Sequence, residues 1–268
     1  MLGDRLGLTG WLAAAAVMVV TFLVGFVWLP ALQENARGGW WDAICRAVGI
    51  SPPAEFVRAT PGPAQSPTDV AWSPATLRLA RSGDAQRGSA PAAVCAGCHG
   101  AKGVSPTDAF PNLAGLPAEV LYKQLDDYRG GKRKSPIMQP LTANLTDQNI
   151  ADLAAHFAAF PAPAVPSRAD AAAPALVTVG SPLRSIAPCA ACHGPLGHKL
   201  GAPPLAGQKR AYLERELDAF ATGARANDIN QQMREVARAL TASERAALAG
   251  WYSEQPQPAV ATVGQSRH

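Results

Sequence analysis

The chain has 268 residues, 48% of them apolar and 6% aromatic, with a formal net charge of +4. That length holds one large domain or two small ones. The charge is too mild for a nucleic-acid binder, which shows a stronger basic excess clustered on one face, so no nucleic-acid partner is expected. Alanine favours helix and long Val, Ile and Thr runs are missing, which predicts an all-α protein.

In chain order, the first charged residues are Asp4 and Arg5 and the next is Glu34. Between them lies an apolar core from Trp11 to Leu29. About 20 apolar residues span a bilayer as a helix, and Trp11 and Trp28 sit near the ends, where amphipathic rings favour the interface. A cleaved signal peptide would have a shorter apolar region, roughly 7–15 residues, followed by small residues at the cleavage site. Here the run ends in Trp28-Leu29-Pro30. Residues 1–33 are therefore expected to be an uncleaved transmembrane anchor, with the lipid bilayer as a partner.

Residues 34–81 read as an interfacial helix and a tether. Trp40, Trp41, Ile44, Cys45 and Val48 share one helical face, fit to lie at a membrane surface, against a partner subunit, or against the rest of the chain. Cys45 belongs to no ligand spacing and reads as a small apolar residue. From Ser51 the chain is rich in Pro, Ala and Ser, the composition of a semi-rigid spacer. A similar linker occupies 161–175, and 255–268 reads as a disordered tail. Two blocks of similar length remain, 82–160 and 176–254.

Each block opens on the same signature: Cys95-Ala-Gly-Cys98-His99 and Cys189-Ala-Ala-Cys192-His193. Cys-x-x-Cys-His is the attachment motif of c-type haem. Two cysteines three apart on a helical turn reach both vinyl groups of one porphyrin, and the next histidine points at the iron from the same side. A thioredoxin-like dithiol would sit in a βαβ context, which is absent. A zinc site would need four ligands together, and the two pairs are 94 residues apart.

The sixth iron ligand follows by elimination. Met1 starts the chain and Met18 lies in the apolar run. Met138 follows His99 by 39 residues and Met233 follows His193 by 40. One methionine per haem at matching distance is the pattern of Met/His ligation, which raises the reduction potential.

The blocks are an internal repeat. PNLAG (111–115) matches PPLAG (203–207) at an offset of 92, and Leu145-Thr146 matches Leu240-Thr241 at 95. Three inserted residues therefore precede the second methionine. His156 aligns with Trp251, which cannot bind iron, so His156 reads as a packing residue. The run Arg129, Lys132, Arg133, Lys134 is either a patch that steers an acidic partner or an ordinary solvated loop.

The stretches FPNLAG, LYKQLDDYRGGKRKSPIMQPLTANLTDQNIADLAAHF, PCAACHGPLG and PPLAGQ resemble the di-haem cytochrome c4 family over about residues 82–254. The resemblance implies two tandem class I cytochrome c domains, each wrapped around one covalently bound haem c, with propionate edges facing. It also implies that the carbonyls of Pro111 and Pro203 accept from the ring N–H of His99 and His193, a bond that fixes ligand orientation. Haem is attached to such motifs outside the bacterial cytoplasm. The expected location is a single-pass inner-membrane protein with its haem domains in the periplasm. Expected partners are a quinol-oxidising complex as donor and a terminal oxidase as acceptor. A fixed oxidase subunit is the alternative, and a di-haem peroxidase is disfavoured by the filled axial positions. The N-terminal run and tether depart from the family, as do Pro182 and Pro188, which leave the helix before the second motif short or broken.

Overall fold

A computed structural model describes residues 3–28, 66–165, 172–194 and 199–257. The chain divides into two units, residues 1–64 and 65–268. The Trp40-Trp41 helix, Cys45, residues 51–65 of the expected tether and the tail from residue 258 lie outside the described residues.

In the first unit, helix α1 runs Gly3–Phe22 and passes into a wider π-type turn, Leu23–Trp28. No helix among the described residues is long and apolar enough to cross a membrane. This overturns the expected transmembrane anchor at 1–33, and with it the single-pass inner-membrane location. The physical reason is that the apolar run is shared between two elements. α1 spends its first turns on Asp4, Arg5 and Thr9, leaving only Trp11–Phe22 as apolar α-helix. At 1.5 Å per residue that is about 18 Å, short of the roughly 30 Å hydrocarbon core.

Among the described residues, the regular structure of the second unit is helical apart from one isolated antiparallel bridge, Ser181 to Ile186. Its first half holds α2 (Pro74–Arg81), α3 (Ala85–His99), α4 (Ala118–Arg129), α5 (Met138–Thr142) and α6 (Asp147–Ala158). α6 is the spine. Thr146 caps it through a reciprocal capping box with Asn149. Ile150, Leu153, Ala154 and Phe157 then recur at helical spacing and are all buried. That face packs on α2, α3 and α4, with Val70, Ala80, Ala92, Leu121 and Tyr122 completing the core. α3 crosses α6 at close range because Gly83 and Gly88 have no side chain. A Cβ on Gly88 would stand 2.1 Å from the Asp152 carbonyl oxygen, and one on Gly83 2.0 Å from that of Ala151. Arg87 closes the crossing by gripping the Asp152 carboxylate at 2.8 and 2.9 Å.

Residues 66–81, read from sequence as spacer, are built into this half. Val70 and Ala80 are core residues, and α2 carries its own cap, Ser73, with Pro74 in the first turn.

The second half holds α7 (Ala175–Thr178), a 3-10 turn (Pro182–Arg184), α8 (Cys189–His193), α9 (Arg210–Thr222), a 3-10 turn (Ile229–Gln231), α10 (Gln232–Ala239) and α11 (Ala242–Ser253). α11 repeats α6, with a Thr241–Glu244 capping box and Leu248, Ala249 and Tyr252 buried. The 15-residue α3 has no intact counterpart. Pro182 and Pro188 each lack an N–H and disfavour helix before them. The chain there is α7, the bridge and a five-residue α8, and Val177, Ile186 and Ala190 fill the place against α11.

Candidate functional site

The two Cys-x-x-Cys-His motifs lie at equivalent places. Cys95, Cys98 and His99 form the last turn of α3, and Cys189, Cys192 and His193 form all but the middle of α8. Each helix stops at the next residue, Gly100 or Gly194, with φ of 78° and 70°. Only glycine takes that backbone without strain. A Cβ on Gly100 would stand 2.0 Å from the Val104 carbonyl oxygen. The chain therefore doubles back immediately after each histidine and brings a proline carbonyl under its ring.

That carbonyl makes the bond implied by the resemblance. His99 Nδ1 lies 2.9 Å from the Pro111 oxygen, and His193 Nδ1 lies 2.7 Å from the Pro203 oxygen. A carbonyl only accepts, so Nδ1 carries the proton and Nε2 presents its lone pair. Burial pushes the His99 pKa down, partly opposed by the Pro111 bond, so the ring is neutral and able to ligate at neutral pH.

The four motif cysteines are free and half-buried. Burial, and then the neighbouring thiol, pushes Cys95 up; burial likewise dominates at Cys189. Reactive dithiols have depressed values, the opposite of the direction at Cys95 and Cys189. Among the described residues no three His, Cys, Asp or Glu side chains converge as a metal cluster, against the zinc alternative. Two cysteines and one oriented imidazole on a single turn are the donor set that fits one covalently held haem, and the chain has two such sets.

Met138 opens α5, with its backbone N–H donated to Ser135 Oγ at 3.1 Å. Met233 stands in the first turn of α10. Both side chains are half-buried. The three inserted residues before Met233 coincide with Asn230 and Gln231, both in the left-handed region at φ 55° and 59°. His156 is held by the Ala85 carbonyl at 3.1 Å and lies edge-on to Phe157 and Phe160, a packing role.

The two halves meet at a polar seam that motif reading did not find. Asn112, next to Pro111, donates its backbone N–H to Gln208 Oε1 at 2.8 Å, and Gln208 Nε2 returns a bond to the Asn112 carbonyl at 2.9 Å. Lys123 and Asp127 form an ion pair at 2.5 Å with side chains 5% and 0% exposed, and both also bond Asn227 of the other half. Arg133 and Arg225 both pair with Glu216, at 3.0 and 2.8 Å, and both donate to Gln124. These last four are repeat mates at the offset of 92: Gln124 with Glu216, Arg133 with Arg225. Each arginine also lies over its own half's ring, Arg133 on Tyr128 at 4.7 Å and Arg225 on Phe220 at 4.4 Å. The offset was the available signal.

Ion pairing takes up most of the steering patch. Arg133 is buried, Arg129 is paired with Asp126 and Asp147, and Lys132 is paired with Asp69 at 3.2 Å. Only Lys134 of that run is exposed and outside an ion pair.

The sequence pattern of the cytochrome c family matches residues 85–159 and 184–254, once per half. The chain belongs to the cytochrome c family. It is 44% identical over 181 residues to the thiosulfate dehydrogenase electron acceptor of Stutzerimonas stutzeri, covering 64% of this chain and 84% of that one. It is 38% identical over 180 residues to cytochrome c4 of Pseudomonas aeruginosa, covering 63% and 87%. Among solved structures, reduced cytochrome c4 from Pseudomonas stutzeri matches with a TM-score of 0.59 and 33% identity, over 65% of this chain and all of that one. A thiosulfate dehydrogenase from Marichromatium purpuratum matches with a TM-score of 0.56 and 35% identity, over 64% of this chain and 40% of that one. The cytochrome is thus a di-haem, cytochrome c4-like electron-transfer protein with two covalently bound haem c groups.

Proposed function

We propose that the cytochrome is a one-electron relay that accepts electrons from a dehydrogenase and delivers them to a terminal oxidase. When bound, haem c supplies a reversible one-electron iron couple. Each half is read as contributing two thioether links, at Cys95 and Cys98 or Cys189 and Cys192. A histidine and a methionine of each half would ligate its iron, His99 with Met138 and His193 with Met233. The observation that carries this reading is the paired His–Pro bond, 2.9 Å in one half and 2.7 Å in the other. It holds each imidazole with one nitrogen committed and the other aimed for ligation. With both side chains bound, the iron would offer a substrate no open position, which favours electron transfer over peroxidase-like catalysis.

The donor is the point on which the relatives bear. A quinol-oxidising complex is the general expectation, but the 44% identity to a thiosulfate dehydrogenase electron acceptor favours a dehydrogenase that oxidises a small sulfur anion. The match to part of the longer Marichromatium chain supports a second reading, in which the cytochrome stays bound to that enzyme as a subunit. Mixing the oxidised cytochrome with thiosulfate and a thiosulfate dehydrogenase tests the donor. Rapid appearance of the reduced haem spectrum is expected. Reduction only by a quinol-oxidising complex would overturn it. Co-elution of cytochrome and dehydrogenase through a salt gradient would decide for the subunit reading.

A further inference from the structure

The family match begins at residue 85, yet the chain immediately before it is ordered against both halves. Thr68 Oγ1 donates to Asp127 at 2.5 Å, and Asp127 in turn accepts from Asn227 of the second half at 2.7 Å. Asp69 pairs with Lys132 at 3.2 Å, and Arg81 with Glu119 at 2.6 Å. Val70 is 5% exposed within the first core. Trp72 packs against that same core, and its indole reaches across to the second half. A Cβ on Gly201 would stand 3.0 Å from Trp72 Cζ2 and Nε1. Gly201 has φ of 80° and lies two residues before Pro203, whose carbonyl holds His193.

We propose that residues 66–81 form a strap that locks the two haem halves together, with Trp72 as the positioning residue for the loop that orients His193. The strap is fixed in the first half by burial and three polar contacts, at Thr68, Asp69 and Arg81. Its ring then bears on the backbone of the second half where that backbone carries the orienting carbonyl. The contact works by close approach, since a bare glycine lets the indole lie directly on the chain. Orientation of a histidine ligand through its Nδ1 bond alters ligand basicity and hence potential. The strap therefore gives the second half's loop a contact from the other half, as Gln208 does for the first half's loop at Asn112. It acts near the five-residue α8.

The strap itself does not depend on the choice of redox partner. Its effect on potential rests on the di-haem ligation proposed above. The test compares the full-length haem-loaded protein with Trp72→Ala, Trp72→Phe and Thr68→Val. Hydrogen exchange read by mass spectrometry should accelerate about tenfold in residues 199–208 of Trp72→Ala, with α6 unchanged. Trp72→Phe keeps a ring on Gly201 and should retain most of the protection. Thr68→Val should give a smaller increase. A spectroelectrochemical titration should show one of the two redox steps displaced in Trp72→Ala and returned towards its original value in Trp72→Phe. Unchanged exchange over 199–208, equal loosening of α6, or two unmoved redox steps would each overturn the proposal. A parent protein carrying fewer than two haems per chain by the pyridine haemochrome assay would instead strike at the di-haem ligation, and the exchange data would still decide the strap.

Discussion

Lys123 and Asp127 are a buried charge pair whose value lies mostly in not being broken. Burial pushes the Lys123 pKa down and the Asp127 carboxylate works against that shift. Removing one partner from such a pair typically costs about 3–5 kcal/mol. Asp127→Ala is therefore expected to lower unfolding free energy by about that amount in urea titrations, because it also strands Thr68 and Asn227. The double variant Lys123→Met, Asp127→Leu should recover much of the loss. At the axial positions, Met138→Ala opens one side of the proposed first iron site. The reduced variant is expected to bind carbon monoxide at neutral pH, seen as a shifted haem absorption band, whereas the parent is not. These residues differ in how they can be read. Met138 stands out by spacing, while Lys123 and Asp127 look like an ordinary surface i,i+4 pair until Asn227 is brought over them.

At the scale of elements, the two halves use one plan with different first helices. α6 and α11 are legible from sequence because caps and apolar spacing are local properties. The crossing of α3 on α6 is not, since it depends on Gly83 and Gly88 meeting carbonyls about 65 residues away. Gly88→Ala must push the helices apart. Overpacking of this kind costs typically 1–3 kcal/mol, and it should appear as a lower Tm with the first half's haem environment perturbed. Thr241→Ala removes the α11 capping box and should cost about 1 kcal/mol, read in the same melting experiment. The corresponding change at Thr146 should cost about as much, since the capping boxes are alike. The second half tolerates loss of a long first helix because Val177, Ile186 and Ala190 still cover α11.

For the whole molecule, the seam makes interdomain geometry depend on pH. Burial pushes the Glu216 carboxyl up, but the Arg133 and Arg225 guanidiniums outweigh it and hold its pKa below the ordinary carboxylate value. A depressed folded-state pKa contributes stability that is complete above the unfolded value, near 4.5, and is lost as pH falls through the folded one. The halves should therefore loosen below about pH 4.5, seen as a larger radius of gyration by small-angle scattering while helix content persists. Glu216→Gln should abolish much of that acid step and weaken the seam at neutral pH.

The amino-acid sequence by itself determined the helical class, the repeat, both Cys-x-x-Cys-His turns and the candidate methionines. All of these are written within about 40 residues of each histidine, in local spacing and turn chemistry. Tertiary structure alone decided three further points. The apolar N-terminal run is divided between an α-helix and a π-type turn, so its hydropathy does not translate into a membrane span. Of the basic run near Met138, Arg129, Lys132 and Arg133 are paired with Asp126, Asp147, Asp69 and Glu216, which leaves Lys134 alone exposed and outside an ion pair. Residues 66–81 pack as a strap across both haem halves. In each case the outcome depends on partners distant in the chain or on how a helix continues, and composition carries no record of either.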